Sequence, residues 1–417
     1  MRILHIAPHL GGGVGKAHAG LGPMLPKDVE RTFILLETPK ERRYAEALEA
    51  DGAQIVVAES LDQISALAAE VDIVQFEFWN HPRLFECLAR CAFPAIRSVF
   101  WSHISGLFRP VIQPGLIEQA GRFVFTTEAS LAITALAGLP ASVQKRMCVV
   151  NSGFGFAGDG RPISRNPIPV ITYLGTVDFI KMHPCFFEVI DRLAGSDIHV
   201  DVWGAVDPAS DVAGRAGAMR HPERIRFGGQ ASDPAAALSG AELFFYPLQP
   251  DHYGTAENAL IEAMSLGLVP VVLNNSAERA IVRHGENGFV ARSVEQCVEY
   301  LQTLLRSPDV RKIMSRNAVR HVMETRTPDR SARQFTGLWR ALLAEPPARP
   351  DFRGIIGDDP ASWFVATQCL RGESWEPSRH PAAEAPSKGT LAHFRSVFPE
   401  DGSWSRLATL RRSGLHP

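Results

Sequence analysis

The chain of 417 residues lacks most of the features that would tie it to metal, nucleic acid or a lipid core. Its six cysteines are Cys87, Cys91, Cys148, Cys185, Cys297 and Cys369. They form no CxxC pair and no dense Cys/His cluster, so a zinc site is not expected. Cys87 and Cys91 fall in the helix-like HPRLFECLARCAF, where four-residue spacing is ordinary core spacing. The expectation is buried free thiols in a reducing cytosol. The net charge of -2, with no long basic tract, gives no footprint for nucleic acid. No run of about 18 apolar residues is present, so no membrane-crossing helix is expected. The opening MRILHIAPHLGGGVGK is too short and too polar in its apolar run for a signal peptide, and reads as a first strand. These absences point to a cytoplasmic protein, and leave room for peripheral contact at the inner face of a membrane. No Ser/His/Asp or Cys/His catalytic constellation stands out.

What is present is an ordinary globular composition, 45% hydrophobic and 21% charged, in a chain long enough for two core domains. Short apolar runs alternate with helical patterns: RILHIAP, TFILLE, AQIVVA, DIVQFEF, IRSVFWSH, RFVFTT and MCVVNSG in the first half. VITYLG, HVDVWG, RIRFGG, ELFFYPL, VPVVLN and GFVA follow in the second. This rhythm predicts an α/β protein with two doubly wound, Rossmann-like parallel-sheet domains facing across a cleft. The expected divisions are a first domain over 1–157, a Gly/Pro-rich linker over 158–169 and a second domain over 170–327. A closing helix is expected over 328–345, then a Pro-rich C-terminal extension over 346–417 whose role the sequence does not give. The Trp and Phe content of that extension argues against pure disorder.

Ligands in such sheets bind beyond the carboxyl ends of the strands, and two stretches there stand out. Gly11, Gly12, Gly13 and Gly15 directly follow the first strand, where glycine lets the backbone approach a phosphate or sugar. A phosphate-binding P-loop would need glycine where Leu10 stands and Ser or Thr where Ala17 stands. A dinucleotide fingerprint would need glycine at Lys16. The alternative is a turn with no ligand. The second stretch is HYGTAENALIEAMSLGLVPVV. At about 100° per residue its apolar side chains cover most of the wheel, and Asn258, Glu262 and Ser265 share the remaining arc. The helix start, Gly254–Thr255–Ala256–Glu257, offers N–H groups suited to a diphosphate. Glu262, one turn further in, is placed to accept hydrogen bonds from two ribose hydroxyls; the competing reading is a solvent-facing helix position.

The segment FFYPLQPDHYGTAENALIEAMSLGLVPVVLNNSAERAIVRHGENGFV, through its EAMSLGLVPVV core and GENGFV ending, resembles the nucleotide-sugar site of GT-B glycosyltransferases, specifically family 4 of the retaining group. In that family a Glu-x7-Glu pair straddles the helix start. Glu262 matches the second Glu, which holds the donor ribose. The first falls on Gly254, a departure, with Glu257 nearby as its stand-in at a different register. YLGTVDFIKMHP is similar to the loop that carries an Arg and a Lys for the donor diphosphate. Lys181 matches the Lys, while Thr176 stands at the Arg position. His103 in FWSHISG matches a histidine near the family's cleft, and RIRFGGQAS resembles the loop that seats the base at Gly229 and Gln230. The resemblance spans roughly residues 1 to 345.

It implies His103, Lys181 and Glu257 as catalytic residues. Gly12, Gly13, Gly175, Thr176, Gly229, Gln230, Gly254, Thr255, Asn258, Ala259 and Glu262 would contact the donor. The donor would be a nucleoside diphosphate sugar, UDP- or GDP-linked, the acceptor a glycan or lipid-linked hydroxyl, and polysaccharide synthesis the setting. Transfer would retain anomeric configuration by front-face departure of the diphosphate, with no cofactor and no catalytic metal. Two other readings remain at this point: a sugar-nucleotide epimerase on the same two-domain plan, and a non-catalytic GT-B binding module, which the Gly254 and Thr176 departures favour.

Overall fold

The computed structural model describes residues 1–39, 41–153, 170–195, 197–206, 211–255, 257–371, 373, 375 and 389–407. The segment 158–169 read as a linker lies outside them. The chain forms two units, Met1–Asn151 with Ser331–Pro417, and Ser152–Arg330.

The first unit is built on β1 (Arg2–Ala7), β2 (Glu30–Leu35), β3 (Gln54–Val57), β4 (Ile73–Phe78), β5 (Ser98–Ser102), β6 (Arg122–Phe125) and β7 (Met147–Val149). Among the described residues these make a seven-stranded sheet in the order β3-β2-β1-β4-β5-β6-β7, with every pairing parallel. The second unit carries β8 (Ile171–Leu174), β9 (Val200–Trp203), β10 (Ile225–Gly229), β11 (Leu243–Tyr246), β12 (Val269–Leu273) and β13 (Phe289–Ala291). Its sheet runs β10-β9-β8-β11-β12-β13, again parallel throughout. Helices return the chain between strands and cover the faces, which is why central strands such as IVQFEF and LFFY are buried at every position. Strand order reverses between β1 and β4 in the first sheet and between β8 and β11 in the second. Crevices for ligands open at such reversals.

Described residues after 345 contribute to the first unit's core. Ile96 and Ala348 form an antiparallel bridge. Helices Arg353–Ile356, Pro360–Gln368 and Leu391–Val397 pack on helix Pro82–Arg90. Phe352, Trp363, Phe364, Trp375 and Phe394 join Phe76, Phe85 and Phe100 in one buried cluster. Trp363 is fully buried, its indole N–H donates to the Gly357 carbonyl at 2.9 Å, and Arg90 lies over its ring. Full burial of each such ring contributes about 1.5–3 kcal/mol. In the second unit, buried Arg311 on helix Pro308–Thr325 pairs with Glu242, which directly precedes β11.

Cys87 and Cys91 are buried and free, at the end of helix Pro82–Arg90. A hydrogen bond with Cys91 and burial both push the Cys87 thiol up. Among the described residues no helix is long and apolar enough to cross a membrane.

Candidate donor site and a buried carboxylate network

In the second unit the sequence-singled residues other than Gly229 and Gln230 follow β8 or β11, between which strand order reverses. Gly175 and Thr176 follow β8 directly, and the Gly175 N–H donates to the Trp203 carbonyl at 3.0 Å. The Tyr173 hydroxyl donates to the Thr176 carbonyl at 2.8 Å and ties the loop down. Asp178 then accepts from the N–H groups of Ile180 and Lys181, both at 3.0 Å, and turns the chain. Lys181 is half-buried, with its Nζ 5.9 Å from the centre of the Tyr246 ring at the end of β11. Burial works against its charge; Tyr246, Tyr253 and Glu278 outweigh burial and hold the ammonium above its ordinary value. A fixed positive charge at the carboxyl ends of β8 and β11 suits a diphosphate.

Beyond β11, Gly254 and Thr255 lead into helix Glu257–Ser265. Asn258 and Ala259 are partly exposed in its first turn. Glu262 is 2% exposed, so the solvent-facing alternative for it is excluded. Ser265 has a reason of its own: its hydroxyl donates to the Glu262 backbone carbonyl at 2.8 Å. The polar arc of this helix is therefore not one surface, since its last member satisfies the helix itself. The side chain of Glu257 lies outside the described residues. Gly229 ends β10 with φ +68°, and Gln230 follows it, two strands away from β8.

His103, Gly12 and Gly13 belong to the first unit. Helix Gly12–Leu21 starts at Gly12, whose φ is +65° and whose α-carbon faces open space. Gly15 serves packing instead: a Cβ there would lie 1.8 Å from the Leu10 carbonyl oxygen. His103 follows β5, and its Nε2 meets Oε2 of Glu77 at 2.9 Å. Glu77 lies on β4, is fully buried, and gathers more. His5 Nδ1 on β1 contacts its Oε1 at 3.0 Å, Gln75 Nε2 donates to the same oxygen at 3.0 Å, and His18 Nε2 lies 3.0 Å from Oε2. Gln75 in turn accepts from the Trp339 indole at 3.0 Å. Burial raises the Glu77 carboxyl, yet His18 and the bonds from His103, His18 and His5 overcome it and hold the group well below its ordinary value. An ionised carboxylate only accepts, so the nitrogens facing it carry protons. For His103 this places a proton on Nε2.

Residues 168–307 match the family model described as glycosyl transferases group 1. The structure is similar to that of Anabaena HepE in complex with UDP and glucose: TM-score 0.67, 14% identity, 82% of this chain and 100% of that one. It is also similar to the lipopolysaccharide outer core galactosyltransferase WaaB (TM-score 0.62, 14% identity, 82% and 99%). A sucrose-phosphate synthase from Thermosynechococcus elongatus gives TM-score 0.61 at 15% identity over 82% and 99%. The chain has the GT-B fold. No curated protein matches its sequence.

Sequence reasoning missed two residues of this GT-B chain: Glu278, whose charge acts on Lys181, and its neighbour His252. Glu278, fully buried after β12, accepts from Asn275 Nδ2 at 3.0 Å and lies 3.4 Å from His252 Nε2. His252 Nδ1 accepts from the Gly254 N–H at 3.1 Å and so shapes the approach to helix Glu257–Ser265. The only sequence signal was an acid shortly after an apolar strand, which is too common to single out.

Proposed function

We propose that the chain is a glycosyltransferase that moves a sugar from a nucleoside diphosphate donor to an acceptor hydroxyl with retained anomeric configuration. The observation that carries this is Glu262: a carboxylate buried on a mostly apolar helix, inside the group 1 match, after β11, the strand that pairs with β8, which Lys181 follows. In this reading Glu262 accepts from the donor ribose hydroxyls and the backbone near Gly229 and Gln230 seats the base. Gly175, Thr176, Gly254, Thr255, Asn258 and Ala259 surround the diphosphate. Lys181 neutralises the charge that develops as the diphosphate leaves, a role usually worth about 10²–10³ in rate for a single donor. Glu257 contacts the transferred sugar. His103, held through its Nε2 by Glu77, orients the sugar or the acceptor hydroxyl. Lysine and helix N–H groups take the place of a metal.

A UDP-linked donor is favoured by the likeness to HepE, which was solved with UDP and glucose. The acceptor is a glycan or lipid-linked hydroxyl, and the setting is cytoplasmic polysaccharide synthesis. A second reading, a non-catalytic binding module, has Gly254 and Thr176 in its favour, since the first Glu and the Arg of the family pattern are missing.

Thermal shifts with UDP, GDP, ADP and NAD at matched concentration test the donor site. A ligand about 100-fold above its Kd adds about 2.7 kcal/mol. We expect a shift with one diphosphate that Glu262→Ala removes. A shift only with NAD refutes the reading. A shift with UDP but no sugar transfer to any acceptor establishes the binding module instead.

A further inference from the structure

A second cluster of titratable side chains lies in the first unit, at the reversal between β1 and β4. His9 follows β1, Glu37 follows β2, and Trp79 and His81 follow β4. His393 reaches them from helix Leu391–Val397 in the C-terminal extension. Glu37 Oε2 is 3.6 Å from His81 Nε2, and its Oε1 is 4.0 Å from His9 Nε2. The His81 and His393 rings meet edge to face at 4.9 Å, and Trp79 lies 4.7 Å from His81 and 5.5 Å from His9. We propose that these five residues form a hydroxyl-binding subsite that holds a sugar ring of the acceptor, and that the C-terminal extension completes it.

The tautomers decide among ligands. His9 Nδ1 accepts from the Gly11 N–H at 3.1 Å, His81 Nδ1 from Arg83 at 3.2 Å, and His393 Nδ1 from Gly389 at 2.9 Å. Each neutral imidazole therefore carries its proton on Nε2. A metal ion needs that nitrogen's lone pair, so although His9, Glu37 and His81 bring ligand atoms within 4.8 Å of one another, the tautomers oppose a cation. An anion is opposed by the Glu37 carboxylate, which the His81 hydrogen bond keeps below its ordinary pKa. What remains is a ligand that donates to a carboxylate and accepts from imidazole N–H groups at the same place, as vicinal hydroxyls do, beside aromatic faces that suit the apolar side of a pyranose. With Glu37 side-chain exposure at 36%, His9 at 17% and His81 at 1%, the set is open at one end and fixed at the other.

The extension is held to this place by built contacts. Asn80, buried between Trp79 and His81, donates to the Gly389 carbonyl at 3.0 Å. Gly389 has φ +74°, and a Cβ there would lie 1.8 Å from Asn80 Nδ2, so only glycine brings the chain this close. Thr390 caps the following helix, and Phe394 packs on Phe85.

Naming the occupant as an acceptor rests on the proposed glycosyl transfer; the hydroxyl-binding chemistry does not. The test uses the full chain, wild type and with Glu37→Gln or His393→Ala. The probes are the methyl glycosides of glucose, galactose and mannose, and maltose, followed by ligand-detected NMR and calorimetry. We expect at least one probe to bind the wild type and to lose about tenfold or more affinity in each variant, the scale of a hydrogen bond to a charged group. The UDP thermal shift should stay unchanged in both. The proposal is overturned if no probe binds, if binding is insensitive to both variants, or if zinc raises the melting midpoint in a Glu37-dependent manner. Glycoside binding through Glu37 without any nucleotide shift would sustain the subsite while removing the transfer reading.

Discussion

Replacing His5 by Asn keeps an N–H donor near Glu77 and removes a proton acceptor from the core of the first unit. Burial holds His5 at about 4, against an ordinary value of 6.5; the Glu77 hydrogen bond works the other way and is outweighed. Between those two values the unfolded chain carries this proton and the folded one does not. The unfolded state thus binds more protons in that window, so stability rises with pH and is lost as pH falls from 6.5 towards 4. The gap corresponds to about 3 kcal/mol by pH 4. For a unit of some 200 residues, about 2–4 °C per kcal/mol translates this into roughly 6–12 °C of melting midpoint. Calorimetry of wild type and His5→Asn between pH 4 and 7.5 measures it. The variant starts lower, because Asn fills the site less well, but it should lose less midpoint on acidification by that amount. His18, also lowered by burial, titrates in both proteins and cancels. Equal acid losses in the two proteins would show that His5 is not held neutral and would remove the tautomer argument built on Glu77.

Lys181→Met should lower kcat/KM by about 10²-fold or more in a sugar-transfer assay, with the unliganded melting midpoint nearly unchanged. Trp363→Ala should destabilise the first unit by about 3–5 kcal/mol in urea titration, with no change in nucleotide binding by the second. Arg311→Met leaves Glu242 buried without its charge partner and should cost about 3–5 kcal/mol, part of which Glu242→Gln in the same chain should restore.

Strand positions were legible because the central parallel strands are buried on both faces and announce themselves as short apolar runs. The run DIVQFEF contains β4 and ELFFYPL contains β11; ten of the other eleven runs likewise contain a strand, and TFILLE overlaps β2 from Thr32 on. Glu262 was legible because a carboxylate interrupts an apolar helix. The Glu77 network was not, since it joins two strands, a helix and a loop, with His5 already 72 residues from Glu77 and His103 further along the chain. Its one local trace was Gln75 and Glu77 at alternate positions of an apolar strand, both pointing to the same face. The fate of the C-terminal extension was equally hidden. Aromatic content signals that a segment packs somewhere, but nothing local says that Gly389 must lie against Asn80.

The interrupted first unit carries a consequence for synthesis. Its sheet is finished once Val149 is made, yet Trp339, Trp363 and Phe394, which close its core, follow only after the whole second unit. At about 5–20 residues per second, roughly 10–50 s separate the two on the ribosome. The second unit, being continuous, can complete itself during that delay, while the amino-terminal sheet waits with its aromatic face uncovered. Chains that stop short of the extension would leave the ribosome with that face still exposed, as substrates for chaperones and proteases.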